Sequence, residues 1–259
     1  MADFIKDYWE KQAQMFNSSH EASWGDNFMI DLEIEAIGKH FKDGQSVLDV
    51  GCANGYSSFR QAVAHNISSI TGIDFAESMI SEALKRQAEL NLDKNITFAV
   101  GDIRNLPFDD NSFDLVYTTR VIINLPNWNE QIKAIEECIR VAKPGGTVIF
   151  SEAFWEPLIL LNSIRSLKQL SPLVEHDFNR YLKKHTLEEY LKQRQISFSV
   201  DEFSSVYYLG TRFIRDLVTN IYDYPGFTNP INKIFYEIEK QFSGGGFGIQ
   251  QAYILTKNT

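Results

Sequence analysis

The stretch VLDVGCANGYSS, residues 47–58, decides the fold class of this chain. Its apolar opening predicts a buried strand over Ser46–Val50, and a helix is predicted over Ser57–His65. Between them, Gly51 and Gly55 form a tight turn. Glycine lets a backbone approach a ligand because no side chain intrudes, although such a turn can also occur without a ligand. The stretch therefore predicts a strand–turn–helix unit that could hold a ligand.

Two helices are predicted first, beginning near Asp3 and near Asp26, and strand and helix patterns alternate from Ser46 to Ser151. Five strands are predicted in this part, at Ser46–Val50, Ser69–Ile73, Asn95–Val100, Phe113–Tyr117 and Thr147–Ser151. The other helices predicted there are Ala76–Leu90 and Asn129–Val141. Beyond them, two mostly helical stretches (155–193 and 210–242) flank a strand predicted near Phe203–Tyr208, and Gln250–Thr256 is the predicted last strand. Strands alternating with helices predict βαβ units and a parallel sheet.

Composition narrows the function classes. The chain has 259 residues, 44% of them hydrophobic, and a formal charge of -9 without a basic cluster. That charge argues against a nucleic-acid partner. Two cysteines without metal-site spacing suit a reducing cytoplasm, and no apolar run is long enough to span a membrane. We expect a cytoplasmic protein with a small-molecule partner, no metal and no membrane or nucleic-acid partner, and we leave the oligomeric state open.

Acidic residues end the next two strands. Asp74 follows the second strand about 20 positions after the glycine turn, where an acid can accept both ribose hydroxyls of a nucleoside. Asp102 ends the third strand, where a carboxylate can accept a hydrogen bond from an adenine amine. Because the carboxyl ends of parallel strands meet at one edge, the two acids and the turn predict an adenosine site.

Two common nucleotide motifs are missing. A dinucleotide fingerprint would need glycines where the chain has Gly51, Ala53 and Tyr56, and the P-loop pattern is absent. The remaining pattern suits an adenosine that carries an amino-acid tail and no phosphate.

Four segments together resemble the class I S-adenosylmethionine-dependent methyltransferases: VLDVGCANGYSS, GIDFAESMI, GDIRNLPFDDNSFDLVYT and RVAKPGGTVIFSE. They span Val47–Glu152 in the order and spacing of that family. One departure is Ala53, where the family often has a third glycine. The resemblance implies an α/β fold with a doubly wound, mostly parallel seven-stranded sheet, and S-adenosyl-L-methionine as cofactor with S-adenosyl-L-homocysteine as product.

The resemblance also implies the cofactor-binding residues. It assigns the methionine tail, ribose and adenine to residues at the strand ends, namely Asp49, Gly51, Cys52, Ala53, Gly55, Asp74, Phe75, Met79, Asp102, Ile103 and Thr118. It further implies a single methyltransferase domain over residues 1–259. Within it, residues 1–42 form an N-terminal helical lid, 43–152 the cofactor-binding core, and 153–259 helical inserts after strands 5 and 6 with the final strands.

Two aromatic residues of the lid, Tyr8 and Trp9, precede the first core strand. We expect them to close over the cofactor and exclude water. The alternative is a helix that only covers one edge of the sheet.

The acceptor side is predicted from residues outside the general motif. The candidates for catalysis are Glu152 and His176, and those for acceptor binding are Arg120, Asn124, Arg165, Asn179, Tyr181, Tyr207 and Arg212. Arginines can bind anions through several donors, so the set predicts a polar or anionic small-molecule acceptor, methylated on O or N. Each residue could instead serve packing, an internal ion pair or a solvated surface.

Several segments here, RVIINL, LLNSIR and HDFNRYL, resemble methyltransferases of bacterial surface-glycan clusters, which would make the acceptor a sugar or phosphorylated metabolite. Two alternatives stay open: a module that binds the cofactor without catalysis, and a nicotinamide-dependent oxidoreductase. Tyr56 at the third glycine position argues against the latter.

Overall fold

The computed structural model describes residues 2–17, 19–220, 223–224 and 226–258. Its strands are β1 Ser46–Val50, β2 Ser69–Asp74, β3 Ile96–Val100, β4 Phe113–Thr119, β5 Ala142–Ala153, β6 Ser197–Asp201 and β7 Gln250–Thr256. They form one seven-stranded sheet in the order β3-β2-β1-β4-β5-β7-β6. The first five strands pair in parallel, and β7 is antiparallel to both neighbours. With helices on both sides, this is the predicted doubly wound sheet.

The helices are α1 Ala2–Phe16, α2 Asn27–Gly38, α3 Tyr56–Ala64, α4 Glu77–Leu90, α5 Trp128–Val141, α6 Trp155–Leu167, α7 Lys184–Gln193, α8 Ser205–Leu209, α9 Arg215–Val218 and α10 Pro230–Glu239. A π-helical turn, Gly210–Ile214, connects α8 with α9. The predicted inserts thus follow β5 and β6. Among the described residues, no helix is long and apolar enough to cross a membrane.

The centre of the sheet explains where a ligand can bind. Val47, Leu48 and Val50 are at most 1% exposed because β1 has a strand on each side. The chain runs outward from β1 through β2 to β3 and then returns to β4 on the opposite side of β1. Such a reversal opens a crevice at the carboxyl ends of the two central strands.

The predicted strand at Phe203–Tyr208 is wrong. The strand lies earlier, at Ser197–Asp201, and Ser205–Leu209 forms α8. The backbone N–H of Tyr207 in the first turn of α8 donates to the Glu239 carboxylate at 2.7 Å. The free N–H groups of this helix end are therefore satisfied by a distant carboxylate, which the local alternation of residues could not reveal.

Candidate active site

The turn after β1 is shaped by close packing. Gly51 has φ 78°, and a Cβ atom on it would lie 2.1 Å from Cγ2 of Val121, in the segment after β4. A Cβ atom on Gly55 would lie 2.8 Å from the ring of Phe98. Both glycines are thus required by contacts within the protein. Ala53 has φ 47° between them, in the left-handed region that its Cβ disfavours.

A cavity of about 430 Å³ opens at the carboxyl ends of β1 to β4. Seven of the residues predicted to bind the cofactor line it: Trp9, Gly51, Ala53, Asp74, Phe75, Asp102 and Ile103. We refer to it as the first cavity. The predicted turn and both strand-end acids therefore lie around the same cavity.

Asp74 is held in a fixed orientation. Its Oδ2 accepts from the N–H of Ala53 at 3.0 Å, and its Oδ1 accepts from the N–H of Ala76 at 2.9 Å. Burial raises the pKa of this carboxyl to about 6. Because a carboxylate has about four acceptor positions, these two bonds leave capacity for hydroxyl donors from the cavity.

Asp102 is paired with a residue that sequence reasoning missed. Arg104 also lines the first cavity, and its Nε lies 3.0 Å and 3.1 Å from the two carboxylate oxygens of Asp102. Burial alone would raise the pKa of Asp102, but the hydrogen bonds from Arg104 outweigh it and lower the pKa. Asp102 is thus held ionised. The GDIRNL segment contained this arginine, and its position two residues after the acid was the available signal.

Six residues predicted to contact the cofactor do not line the first cavity: Tyr8, Asp49, Cys52, Gly55, Met79 and Thr118. Asp49 is 1% exposed and accepts from the hydroxyls of Ser58 and Tyr117, at 2.5 Å and 2.7 Å. Burial raises its pKa to about 6. Cys52 and Met79 are buried in the protein, and Thr118 donates to Glu152. Tyr8 lines the second cavity and the other five residues are held by contacts inside the protein, so a cofactor contact for these six stays a prediction.

The surroundings of Glu152 argue against the predicted catalytic role. This residue is fully buried and lines neither of the two cavities described here. Its Oε1 accepts from the hydroxyl of Thr118 at 2.8 Å and from the N–H groups of Val121 and Ile122 at 3.1 Å and 3.0 Å. Its Oε2 accepts from the N–H of Ile123 at 3.3 Å. Burial raises its pKa to about 7, and it holds the turn after β4 in place.

A second cavity of about 1260 Å³ lies beside the first. Aromatic side chains make up much of its wall: Tyr8, Trp9, Phe16, Trp24, Phe28, Phe178, Tyr181, Tyr208 and Phe227. Six of the residues predicted for the acceptor side also line it: Arg120, Asn124, His176, Asn179, Tyr181 and Arg212. Four residues line both cavities, namely Trp9, Ser23, Arg120 and Asn124. We call these four the shared wall.

Arg120 follows directly after β4 and is held from several sides. Its guanidinium carbon lies 4.8 Å from the ring centre of Trp24, and its Nε lies 3.3 Å from Oε2 of the buried Glu33. Asn124 donates from Nδ2 to the carbonyl of Arg120 at 2.8 Å. Arg120 therefore makes the internal ion pair that was the alternative prediction, and the residue also lines both cavities.

Arg212 reaches the second cavity from the π-helical turn. Its Nη2 donates to Oδ2 of Asp26 at 2.7 Å, and its guanidinium lies over the rings of Tyr208 and Phe227. Tyr207 does not line either cavity; its hydroxyl donates to Oδ1 of Asp26 at 2.6 Å. We therefore correct the assignment of Tyr207: it orients the carboxylate that holds Arg212.

The assignment of Arg165 to the acceptor is corrected as well. Only 5% of this residue is exposed, and it lines neither cavity. Its Nη1 donates to Oδ2 of Asp216 at 2.8 Å and also to the carbonyl of Arg212, and its Nε donates to the carbonyl of Ser171 at 2.8 Å. The residue joins α6 to the segment around α9.

The N-terminal helix lies against the cavities. Trp9 lines both, and Tyr8 lines the second, with its ring centre 4.7 Å from that of Phe178. Glu10 accepts from the N–H groups of Glu77 and Ser78 at 2.8 Å and 3.0 Å, and so caps the start of α4. These contacts place α1 at the cavity mouths. Closure over a bound cofactor stays a prediction.

His176 lies exposed at the rim of the second cavity, where its ring stacks on Phe178 at 5.7 Å between centres. A catalytic role for it stays a prediction. Asn179, also in that wall, is only 8% exposed.

The first cavity fits an adenosine with an amino-acid tail. Two carboxylates at the strand ends can accept from ribose and adenine, and Gly51 keeps a side chain out of the cavity floor. Two buried side-chain atoms at the β4 end of the cavity, Oγ1 of Thr119 and Oδ1 of Asn124, lack a hydrogen-bond partner among the described residues. Such unpaired atoms fit a site that a polar ligand completes.

Comparisons with known proteins agree with this geometry. Residues 41–200 match a family model described as a methyltransferase domain. A demethylmenaquinone methyltransferase from Staphylococcus epidermidis is 34% identical over 160 residues, which cover 60% of this chain and 62% of that relative. This chain thus matches less than two thirds of the length of that curated relative.

Two solved structures share the fold. A chain of the Haloferax volcanii complex between the Trm112 methyltransferase activator and a methyltransferase aligns with a TM-score of 0.59 at 18% identity, covering 98% of this chain and 96% of that one. Phosphoethanolamine N-methyltransferase 2 of Haemonchus contortus, in complex with S-adenosyl-L-methionine, aligns with a TM-score of 0.56 at 20% identity, covering 89% and 53%. The resemblance seen in the sequence is confirmed, and the chain belongs to the methyltransferase-domain family, with the fold of its S-adenosylmethionine-dependent class I members.

Proposed function

We propose that this chain transfers a methyl group from S-adenosylmethionine to a polar or anionic small molecule. The observation that carries the proposal is the shared wall, where a cavity suited to adenosine meets a larger aromatic cavity. Such an arrangement lets a cofactor and an acceptor meet at one point. Membership of the methyltransferase-domain family supports the same reaction.

Catalysis would depend mainly on positioning. A bound S-adenosylmethionine supplies a methyl group that is already activated as a sulfonium. Asp74 and Asp102 would hold the adenosine end, while Trp9 would help to exclude water from the shared wall. Positioning of two reactants and exclusion of water can together supply much of the rate enhancement of such a displacement.

Two arginines support a polar or anionic acceptor. Arg120 and Arg212 line the second cavity, and each already has a carboxylate partner. A guanidinium has five donors, so one carboxylate does not exhaust it. The aromatic wall would hold the apolar part of the acceptor. A sugar or phosphorylated metabolite of surface-glycan biosynthesis stays a prediction, as do cytoplasmic location and the absence of nucleic-acid and membrane partners.

The test combines binding with product detection. Calorimetry should show binding of S-adenosylmethionine and S-adenosylhomocysteine but not of NAD. Incubation with methyl-labelled cofactor and pools of small molecules, followed by mass spectrometry, should reveal a labelled product. Binding of NAD instead would favour the oxidoreductase, and cofactor binding without product from any pool would favour the non-catalytic module.

A further inference from the structure

The shared wall contains no side chain that could serve as a general base. Its four residues are Trp9, Ser23, Arg120 and Asn124, and none carries a carboxylate, imidazole or amine. A hydroxyl or a protonated amine needs a proton acceptor during methyl transfer, whereas a preformed anion does not. The wall offers a cation instead of a base.

We propose, on the basis of the proposed function, that Arg120 binds the nucleophilic atom of the acceptor as an anion. The acceptor is then a small acid, such as a phenol, an enol or a carboxylic acid, and not an aliphatic alcohol or amine. Its proton leaves to water before reaction. The ionised atom then bonds to the methyl carbon while the carbon–sulfur bond breaks and its electron pair stays on sulfur.

The backbone holds Arg120 at this point. Its φ is 56°, which is uncommon for a residue other than glycine. Its N–H donates to the carbonyl of Ser151 at 2.8 Å, and its own carbonyl accepts from Nδ2 of Asn124. Strained conformations of this kind persist where the surrounding structure fixes them, often at functional sites. The backbone of Arg120 is therefore fixed, and the ion pair with Glu33 and the contact with Trp24 hold its guanidinium.

Two charges near the bound acceptor, on Arg120 and Glu33, should change its pKa in opposite directions. Glu33 of α2 faces its guanidinium, and Glu152 of β5 accepts from the turn that follows Arg120. An opposite charge within a few ångströms favours the ionised form of a bound acid. Removal of Arg120 should therefore weaken ionisation of the acceptor, whereas removal of the Glu33 charge should strengthen it.

His176 is the alternative candidate, as a base that would take the proton of the acceptor. It lines only the second cavity, as do Glu21, Asp31 and Lys233. Its ring is stacked on Phe178, whose centre lies 6.4 Å from that of Trp9. The imidazole is thus one ring away from the shared wall. If it served as the base, neutral alcohols or amines would be competent acceptors, and the pH profile would follow His176.

The first experiment needs no turnover. The probe is 4-nitrophenol, whose ionised form absorbs visible light, titrated with pH while bound to the protein in the presence and absence of S-adenosylhomocysteine. Wild-type protein should lower the apparent pKa of the bound probe by about one unit. The variant R120Q should abolish this shift and E33Q should enlarge it. The double variant R120Q/E33Q avoids an unpaired buried carboxylate and should behave like R120Q.

A matched control is R194Q, which removes a guanidinium that lines neither cavity and pairs with Glu136 at the surface, and which should leave the probe's shift in place. In turnover, wild-type protein should methylate phenols in proportion to their ionised fraction, and R120Q/E33Q should reduce kcat/KM about 100-fold and move the acid limb of its pH profile upward.

An unshifted probe, equal turnover of aliphatic amines or alcohols, or an acid limb that responds to H176Q and not to R120Q/E33Q would overturn the inference. Because cofactor binding is measured separately by calorimetry, these results would leave the proposed methyl transfer intact, whereas absent cofactor binding would refute the proposed function itself.

Discussion

The two cavities are assembled in different ways. The first cavity is lined mainly by residues at the carboxyl ends of three neighbouring strands, all of them between positions 50 and 104. The rest of its lining comes from α1, Ser23 and the segment at the end of β4. The second draws on α1, the start of α2, the segment 173–181, the π-helical turn and the loops before α10 and β7. A short, ordered motif can encode the first cavity, whereas the second exists only once distant parts of the chain have packed together.

The charged groups show the same contrast. In the first cavity, Asp74 bonds to backbone within the adjoining turns, and Asp102 pairs with Arg104 two residues later. In the second, Arg212 pairs with Asp26 from the opposite end of the chain. The function of a charged residue can be predicted from the sequence when its partners are close in the chain, but not when they are distant.

The largest expected effect tests how tightly the first cavity is built. Gly51→Ala should cost about 3–5 kcal/mol, because its Cβ would meet Val121 and its φ is left-handed. The control is Gly44→Ala, with a similar φ of 76° but no atom within 4 Å of the new Cβ, which should cost about 1 kcal/mol. Urea denaturation measures both. Equal costs would show that backbone conformation alone explains Gly51.

A somewhat smaller effect separates structure from recognition on the acceptor side. Arg165→Met should cost about 2–4 kcal/mol of stability, because it removes a buried ion pair and hydrogen bonds to two carbonyls. The acceptor KM of the folded fraction should stay unchanged. Lys168→Met, an exposed change one position beyond the same helix, should stay within about 0.5 kcal/mol of wild type. A raised KM with normal stability would restore Arg165 to the acceptor site.

Two aromatic residues of the N-terminal lid should contribute differently to cofactor binding. Trp9→Ala should weaken cofactor affinity about 10-fold, because Trp9 lines both cavities, whereas Tyr8→Ala should leave it nearly unchanged, because Tyr8 lines only the second. Calorimetry with S-adenosylhomocysteine checks both. Deletion of residues 1–24 with unchanged cofactor affinity would mean that α1 only covers the fold.

The smallest effect concerns pH. Burial raises the pKa of Glu152 from 4.5 to about 7 and that of Asp49 from 3.8 to about 6. At a pH between its ordinary pKa and its raised pKa, such a carboxyl is protonated in the folded state but ionised in the unfolded state. The free energy of unfolding therefore falls as pH rises through this range. Unfolding free energy should be lower at pH 7.5 than at pH 5.5 by on the order of 1 kcal/mol. Glu152→Gln should reduce the difference; a wild-type stability that rises with pH would contradict this account.

Sequence reasoning succeeded where structure is local. The bounds of β1 and β7 match the prediction, and the strand-end acids lie in the first cavity. It failed where a partner is remote. Glu152 ends a strand just as Asp74 does, but its oxygens are taken by the turn after β4. Tyr207 and Arg165 carry the right chemistry for recognition, yet Asp26 and Asp216 occupy them. Residue type and spacing cannot reveal such pairings.

The most direct test of the account is calorimetric titration of S-adenosylmethionine into wild-type protein and Asp74→Ala. The account predicts a single site in wild type, with affinity about 10- to 100-fold weaker in the variant, because the hydrogen bonds from ribose to a charged acceptor are lost. Asp102→Ala serves as a companion at the adenine end, and circular dichroism confirms that both variants are folded. A wild-type affinity in folded Asp74→Ala would contradict the assignment of the first cavity to the cofactor.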